Sequence, residues 1–247
     1  MSRPVCLVTR PEPGASETAA AVEALGWEAV LAPALVLAAR PFDPPPPGGV
    51  QAVLLGSRAA ARALAGRLGG HRVLGVGEAT AAEARAAGAA EALAAAGGDA
   101  ASLVALAGER LDPRAGPVLL AAGRGYGGDL AAGLRARGFR VLRRVAYEAR
   151  EATALPDPAR EALVAGRVGA ALVTSPRGAR VLVWLLRASG LEGAASGARA
   201  VALSERVARA LAGGRWAAVE VAARPDGAAL LARLGEADRA RGAGGGG

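Results

Sequence analysis

The feature that most constrains the fold is a strand–serine–helix segment that occurs twice in the chain. The two copies read AVLLGSRAAARAL, from Ala52 to Leu64, and ALVTSPRGARVL, from Ala171 to Leu182. In each copy an apolar run ends at a serine, Ser57 or Ser175, and a stretch with helical spacing follows. A serine in this place can accept a hydrogen bond from the first-turn amides of the helix. The chain therefore builds the same β–α joint in two places.

Apolar runs of β-forming residues alternate with Ala, Leu, Arg and Glu runs of helical spacing along the chain, and many helical runs end at glycine. Continuous apolar strands in such an alternation predict parallel sheets covered by helices on both faces. The predicted strands are residues 5–10, 27–37, 51–57, 72–77, 117–122, 139–149, 168–175, 199–204 and 217–223, with a weaker one at 89–94.

The two halves of the chain also match outside the serine joints. PVCLVTR at 4–10 matches PVLLAAG at 117–123, and Asp99 matches Asp226. We therefore predict an α/β fold of two similar three-layer parallel-sheet domains from an internal duplication, joined by two extended linkers, with a cleft between them. The predicted boundaries are 1–38 and 154–241 for domain 1, 43–149 for domain 2, and 242–247 for a disordered tail.

The composition limits the classes of partner. The chain carries a net charge of +8 at pH 7, but it has no Lys, Asn or Ile, which indicates a GC-rich coding sequence that raises the Arg content. The Arg residues are scattered among Asp and Glu, and aromatic residues make up only 3% of the chain. The chain has few aromatic side chains on which bases could stack and no long run of basic residues, so we predict no nucleic-acid partner. The basic balance favours an anionic small molecule.

Cysteine and histidine are too few for several kinds of site. One Cys, Cys6, excludes a disulfide within the chain, and together with the single His71 it cannot form a usual zinc site. Cys6 lies in an apolar run, which predicts a buried thiol. A P-loop is excluded because the chain has no Lys. We predict neither a metal nor a cofactor.

The chain shows no targeting or membrane signal. Its first residues lack a signal-peptide core, and no apolar run reaches the ~18 uncharged residues of a membrane span. These features predict a cytoplasmic monomer with no membrane partner. Pro44–Gly49, which reads PPPPGG, is interpreted as a stiff linker.

In parallel sheets the strand ends and helix starts lie at one edge, and ligands bind there. Free first-turn amides and the helix dipole attract anions at this edge, although a serine there can equally be only a cap. The residues predicted to bind the ligand are Thr9, Arg10, Ser57, Arg58, Gly77, Thr80, Gly123, Arg124, Thr174, Ser175, Pro176 and Ser204.

Tyr147 is the candidate catalytic residue. It lies late in an extended run, where it could pack as an amphipathic strand residue or donate a hydrogen bond to a leaving hydroxyl. Nearby, GRGYGG at 123–128 has the glycine spacing of a dinucleotide loop, but no acidic residue closes the next strand in the required place. Dinucleotide binding is therefore not predicted.

The order and spacing of these segments resemble the uroporphyrinogen-III synthase family over nearly the whole chain. The likeness rests on CLVTRPEPGASETAAAVEALGWEAVLAPAL, LLGSRAAARAL, LGVGEATAAEARAAG, GDLAAGLRARGFRVLRRVAYEA, VTSPRGARVL and ALSERVARAL. The resemblance implies two α/β domains joined by two extended strands, with the active site in the cleft. It also implies that the strands up to about Val36 join the sheet of the C-terminal strands, while those at 51–94 join those at 117–149.

The resemblance also implies a reaction. The family's substrate is hydroxymethylbilane, a linear tetrapyrrole with eight carboxylates, which loses its terminal hydroxyl, inverts its last pyrrole ring and closes without metal or cofactor. Tyr147 matches the family's tyrosine associated with hydroxyl loss, and Ser57 and Thr174–Pro176 match its strand-end hydroxyl segments. The family often has Gly-Pro-Thr-Thr where this chain has Ser204-Glu205-Arg206-Val207, so one hydroxyl position departs from the pattern.

Two other functions are compatible with a two-lobed α/β chain. A binding protein for an anionic small molecule would have the same architecture and would not turn over its ligand. A nucleotide-sugar transferase is less favoured, because no pair of acidic residues stands at the strand ends to hold a metal.

Overall fold

The computed structural model describes residues 3–237 of the chain. The chain divides into two compact units: unit 1 contains the residues up to Val36 and from Arg150 onward, and unit 2 contains Leu37–Ala149. The tail predicted at 242–247 lies outside the described residues.

Strands and helices alternate along both units. The strands are β1 (Val5–Val8), β2 (Glu28–Leu31), β3 (Leu35–Ala39), β4 (Val53–Leu55), β5 (Arg72–Gly75), β6 (Glu91–Ala94), β7 (Val118–Gly123), β8 (Val141–Glu151), β9 (Val168–Val173), β10 (Arg199–Ala202) and β11 (Ala218–Val221). The helices are α1 (Ala15–Ala24), α2 (Arg58–Ala63), α3 (Glu78–Ala86), α4 (Ala100–Arg110), α5 (Gly128–Ala136), α6 (Asp157–Val164), α7 (Pro176–Ala188), α8 (Glu205–Leu211) and α9 (Gly227–Leu234). Over residues 3–237, no helix has the length and apolar character that crossing a bilayer would require.

The strands form two sheets. The unit 1 sheet has the order β11-β10-β9-β1-β2, and the second sheet has the order β3-β8-β7-β4-β5-β6. All neighbouring strands of the first sheet run parallel, and so do those from β8 to β6 in the second. The predicted α/β class with parallel sheets is therefore confirmed. The chain passes from one unit to the other inside β3 and again inside β8.

Each sheet buries both of its faces under helices. Alternate residues of β1 pack into different clusters: Val5 and Leu7 join α6, α7 and α8, whereas Cys6 and Val8 join α1 and α9. In unit 2, Val53 and Leu55 pack with α2 and α3, whereas Leu54 packs with α4 and α5. Burial on both faces explains why these strands read as continuous apolar runs.

Two glycines end helices at corresponding places in the units. Gly26 follows α1 with φ 85°, and Gly138 follows α5 with φ 86°. This left-handed conformation lets the amide of the glycine return to a carbonyl of the last turn at no steric cost, which is the usual helix stop.

The single strand predicted at 27–37 is wrong. The structure divides this run into β2, which pairs with β1, and β3, which belongs to the other sheet. Pro33 lies between them and has no amide to donate, so the ladder cannot continue through it. The flanking amides of Ala32 and Ala34 instead donate to the carbonyls of Val8 and Thr9.

Pro44–Gly49 is not a linker between the units, because it lies inside unit 2. His71 holds this segment in place: its Nε2 lies 2.8 Å from the Pro45 carbonyl oxygen and its Nδ1 lies 3.1 Å from that of Gly69. The ring is buried. The single histidine of the chain therefore has a structural role in joining a proline-rich loop to the start of β5.

Candidate active site

A cavity of about 460 Å³ in unit 2 lies at the carboxyl ends of β4, β5 and β7, beside Tyr147 of β8. Ser57, Gly123 and Tyr147 line it, together with apolar side chains such as Leu120 and Leu130. The cavity therefore lies at the sheet edge where ligands bind in parallel α/β folds.

An irregularity in β8 sets the direction of Tyr147. Ala122 pairs with Val145, but the next residue, Gly123, pairs with Tyr147, so Ala146 is an extra residue in β8. Ala146 and Tyr147 consequently pack against the same cluster, on the α2 side of the sheet, instead of alternating faces. A bulge of this kind commonly re-aims a side chain beside a functional site.

Gly123 makes room for the Tyr147 ring. A Cβ at position 123 would lie 2.7 Å from Cζ of Tyr147 and 2.9 Å from its phenol oxygen. These distances are shorter than a carbon–carbon contact allows, so another residue here would displace the ring. The sequence indicated Gly123 as a residue of an anion-binding loop, whereas the structure gives it a steric role as well.

Ser57 contacts the phenol directly. Its Oγ lies 3.1 Å from the hydroxyl oxygen of Tyr147 and also accepts a hydrogen bond of 3.3 Å from the amide of Ala60, which caps α2. Two residues that are 90 positions apart in sequence thus place their hydroxyl groups side by side at the cavity.

Two carboxylates also line the cavity, and sequence reasoning did not assign them to the site. They belong to Asp99, the N-cap of α4, and Asp129, in the first turn of α5. A hydrogen bond from the Ser102 amide, with help from the Ser102 hydroxyl, lowers the pKa of Asp99 below its usual value, so Asp99 is ionised at neutral pH. The capping position of Asp99 was visible in the sequence, but its place at the cavity depends on the sheet order.

Arg124 stands at the end of β7, as predicted, but its charge is already engaged. Its Nε donates to Glu148 at 2.8 Å, and Arg40 donates to the same carboxylate at 3.1 Å. The Arg124 amide also donates to the Tyr147 carbonyl at 2.8 Å. The Glu148 carboxylate therefore holds two guanidinium groups at this edge.

The second serine joint lies in unit 1. Ser175 is the N-cap of α7, and its Oγ accepts a hydrogen bond of 3.0 Å from the Gly178 amide, while Pro176 is the first helical residue. Thr174 lies in the short connection between β9 and this cap. The predicted capping geometry is thus present at both serine joints.

Ser204 also occupies an N-cap position, at the start of α8, but its side chain makes no capping hydrogen bond. Gly77 is the extended residue before α3. Arg58 is the first residue of α2, directly after Ser57. These three residues stand at strand–helix joints, as the sequence predicted, and their contacts with a ligand stay predictions.

Thr9 and Thr80 stand at strand–helix joints, as the sequence predicted, but both side chains are buried, and their contacts with a ligand stay predictions. The Thr9 hydroxyl is buried and donates to the Leu172 carbonyl at 2.7 Å, so it fastens β1 to β9. Thr80 is buried because it is the third residue of α3 and faces β5, where Gly75 leaves room for it. Arg10 donates to the Thr18 hydroxyl at 3.3 Å. A joint residue reaches the ligand edge only when its side chain points away from the sheet.

Cys6 is not a nucleophile. The thiol is fully buried in β1, as the sequence predicted, and burial raises its pKa to about 12. Among residues 3–237, no three side chains of His, Cys, Asp or Glu come close enough together to hold a metal ion.

These features define a class of protein: an α/β protein with parallel sheets, whose candidate site presents a phenol, a serine hydroxyl and carboxylates at the strand ends of unit 2. The model of the family described as uroporphyrinogen-III synthase HemD matches residues 16–232, and the chain belongs to this family. No curated protein sequence matches the chain significantly.

Solved structures of uroporphyrinogen III synthases resemble the chain over almost its full length. The Helicobacter pylori protein is 15% identical, with 94% of this chain and 97% of that one covered and a TM-score of 0.54. The Thermus thermophilus protein is 22% identical, with coverage of 97% and 98% and a TM-score of 0.39. The likeness to the Helicobacter pylori structure supports the fold.

Proposed function

We propose that the protein converts hydroxymethylbilane to uroporphyrinogen III without a cofactor, and that Tyr147 assists departure of the terminal hydroxyl. The observation that carries the proposal is the Tyr147 hydroxyl, which lies at a strand-end cavity beside a second hydroxyl in a chain of this family. The reaction expels water while forming a ring, so the enzyme is proposed to be a lyase.

The reaction needs a proton donor for the leaving hydroxyl oxygen and a proton acceptor for a pyrrole carbon. When the C–O bond breaks, its electron pair leaves with the hydroxyl oxygen, which takes a proton from Tyr147 and departs as water. The pyrrole ring supplies the electrons that stabilise the carbon left behind. The substituted α carbon of the last pyrrole ring bonds to this carbon, the ring's bond to its existing methylene bridge breaks, and the released bridge carbon bonds to the ring's other α carbon, which inverts the ring. That α carbon then loses its proton, which restores the phenol. A positioned proton donor is typically worth about 10²–10⁴-fold in rate.

Charges around the cavity suggest how the substrate is oriented. The carboxylates of Asp99 and Asp129 suit the pyrrole N–H groups, which are hydrogen-bond donors, and disfavour the substrate's own carboxylates. The proposed partners of those carboxylates are the joint residues Arg10, Arg58, Gly77, Arg124, Thr174, Ser175, Pro176 and Ser204. Ser57 and Gly123 are proposed to act at the cavity, beside Tyr147.

Several expectations from the sequence accompany this proposal. A substrate cleft between the units and their origin by duplication stay predictions. So do the monomeric state, the cytoplasmic location, and hydroxymethylbilane as the small-molecule partner without nucleic acid or membrane. Sedimentation equilibrium of the purified chain tests the monomer.

Isomer analysis tests the function. Freshly generated hydroxymethylbilane is incubated with the purified protein and chelator, and the oxidised products are separated into type I and type III. The proposal expects type III to dominate and to form much faster than in a parallel incubation with heat-denatured protein. Type I alone at the uncatalysed rate would contradict it, and tight binding without turnover would favour the anion-binding protein instead.

A further inference from the structure

We propose that Ser57 is a positioning residue for Tyr147: its hydroxyl donates to the phenol oxygen and leaves the phenol proton free to point at the substrate. The inference rests on the proposed function for its catalytic consequence. It assigns Ser57 a role toward another side chain, in addition to its place at a helix start.

The hydroxyl groups of Ser57 and Tyr147 lie side by side at the cavity. The oxygens are 3.1 Å apart, both side chains line the same cavity, and both are partly buried. The extra residue Ala146 turns Tyr147 toward α2, and Gly123 gives the ring its space. Because the bulge and the glycine bring the ring to Ser57, the contact is part of how β7, β8 and α2 meet.

In the proposed arrangement the Ser57 hydroxyl is the donor and the phenol oxygen is the acceptor. Ser57 Oγ already accepts from the Ala60 amide, which also donates to the Ser57 carbonyl at 3.2 Å in the first turn of α2. Its own proton is therefore available for the phenol oxygen. In this arrangement the Ala60 amide donates to the Ser57 hydroxyl, the Ser57 hydroxyl donates to the phenol oxygen, and the phenol donates to the ligand. Hydrogen bonds in such a chain polarise and strengthen one another.

The hydrogen bond from Ser57 becomes stronger during the proposed reaction. When the phenol gives its proton to the leaving oxygen, negative charge develops on the Tyr147 oxygen. A serine hydroxyl that already donates to this oxygen forms a stronger hydrogen bond as the charge grows, because bonds to ionised acceptors are about twice as strong as neutral ones. Ser57 therefore lowers the barrier through Tyr147 and needs no contact with the substrate.

The test requires variants that separate donation from helix capping. Ser57→Gly removes the hydroxyl but changes capping by only a few tenths of a kcal/mol. Ser57→Thr keeps both the cap and the hydroxyl, so it is the conservative rescue. Asp226→Ala removes the cap of α9 in unit 1 and controls for the loss of a cap.

One readout needs no substrate. The chain has two tyrosines, Tyr126 and Tyr147, so protein labelled with ¹³C at tyrosine Cζ gives two resonances, and Tyr147→Phe assigns them. We expect Ser57→Gly to move the Tyr147 resonance and leave that of Tyr126 in place, while Ser57→Thr and Asp226→Ala move neither. An unmoved Tyr147 resonance in Ser57→Gly would overturn the proposal.

The second readout is kcat for formation of the type III isomer. Ser57→Gly should lose on the order of tenfold, the equivalent of about one hydrogen bond, and Ser57→Thr should regain most of it. In a Tyr147→Phe background the same Ser57→Gly change should cost less than about twofold, because its effect passes through the phenol. Losses that multiply independently would overturn the proposal. If the parent protein forms no type III product, the proposed function fails, while the tyrosine resonances still decide whether Ser57 holds the phenol.

Discussion

Ser57 and Ser175 begin their helices in the same way, yet they stand in different surroundings. Each accepts a hydrogen bond from the amide three residues later, at 3.3 Å and 3.0 Å. Ser57 has the Tyr147 hydroxyl as a second neighbour, whereas within residues 3–237 no other hydroxyl lies within hydrogen-bond distance of Ser175. The same local motif therefore serves the backbone in both units, and its additional contact in unit 2 depends on the neighbouring strands.

The strands explain the difference. β4, β7 and β8 occupy the places in the second sheet that β9, β1 and β2 occupy in the first. β8 has 11 residues and continues through Tyr147 to Glu151, whereas β2 has four and ends before Pro33. β7 ends in Gly123. The matching position after β1 in unit 1 is Arg10, whose guanidinium lies against Gly14. Unit 1 thus lacks both the long strand and the glycine that place a tyrosine beside the serine.

Among the variants that test this difference between the units, we expect Gly123→Ala to have the largest effect on kcat. The new methyl group must push the Tyr147 ring away, and a displacement of about 1 Å in a reacting group can cost about 10²-fold in rate. Gly128→Ala is the matched control, since no atom lies within 4 Å of its Cβ position and it is already helical. We expect kcat for type III formation to fall about 10²-fold in the first variant and little in the second.

Circular dichroism and melting temperature would show whether Gly123→Ala keeps its fold. If the folded variant retains parent activity, the close approach of Gly123 and Tyr147 has no catalytic role. The glycine would then not be one of the differences that make the two joints chemically distinct.

The two serines should be equivalent in stability even though they differ in chemistry. Ser57→Ala and Ser175→Ala each remove one cap, at a cost of about 0.5–2 kcal/mol in the free energy of unfolding. Urea titration monitored by far-ultraviolet circular dichroism measures both. A loss for Ser57→Ala far larger than for Ser175→Ala would mean that the contact with Tyr147 is mainly a stabilising one.

The smallest effect concerns two aspartates that cap α4 and α9, Asp99 and Asp226, in matching places of the sequence. A backbone amide, from Ser102 or Ala229, is the main cause that lowers each pKa below 3.8. A lowered pKa in the folded state adds stability above the unfolded pKa, and this stability is lost as the pH falls through the folded value. Asp226→Asn and Asp99→Asn keep a capping oxygen but cannot titrate.

We therefore expect the melting temperature of each Asn variant to fall less steeply than that of the parent as the pH drops below ~3.8. At pH 7 the melting temperatures should differ little. Melting temperatures across this range measure the difference. An acid dependence unchanged in both variants would show that these caps do not contribute to it.

Much of the architecture could be predicted because it follows from local pattern. Alternating apolar and helical runs gave the parallel α/β class, and the serines before helical runs gave the caps at Ser57 and Ser175. The division of residues 27–37 between two sheets was missed because burial makes both pieces equally apolar, although Pro33 marked the break. The burial of Thr9 and Thr80 was not predicted, because the side chain of a joint residue can point either outward or into the core.

The contact between Ser57 and Tyr147 could not be predicted in the same way. It depends on the order of β4, β7 and β8, and on one extra residue, Ala146, that turns Tyr147 toward α2. A register shift of one residue leaves no mark in an apolar strand, yet it changes the face on which a side chain lies.

The central claim is that the Tyr147 hydroxyl carries chemistry at the unit 2 joint while the unit 1 joint holds a helix. The direct measurement compares kcat for type III formation by Tyr147→Phe and Ser175→Ala on freshly generated hydroxymethylbilane, each assayed the same number of degrees below its own melting temperature. The account predicts a loss of about 10²–10⁴-fold for Tyr147→Phe and a much smaller one for Ser175→Ala. Parent activity in Tyr147→Phe would contradict it and make Tyr147 a packing residue.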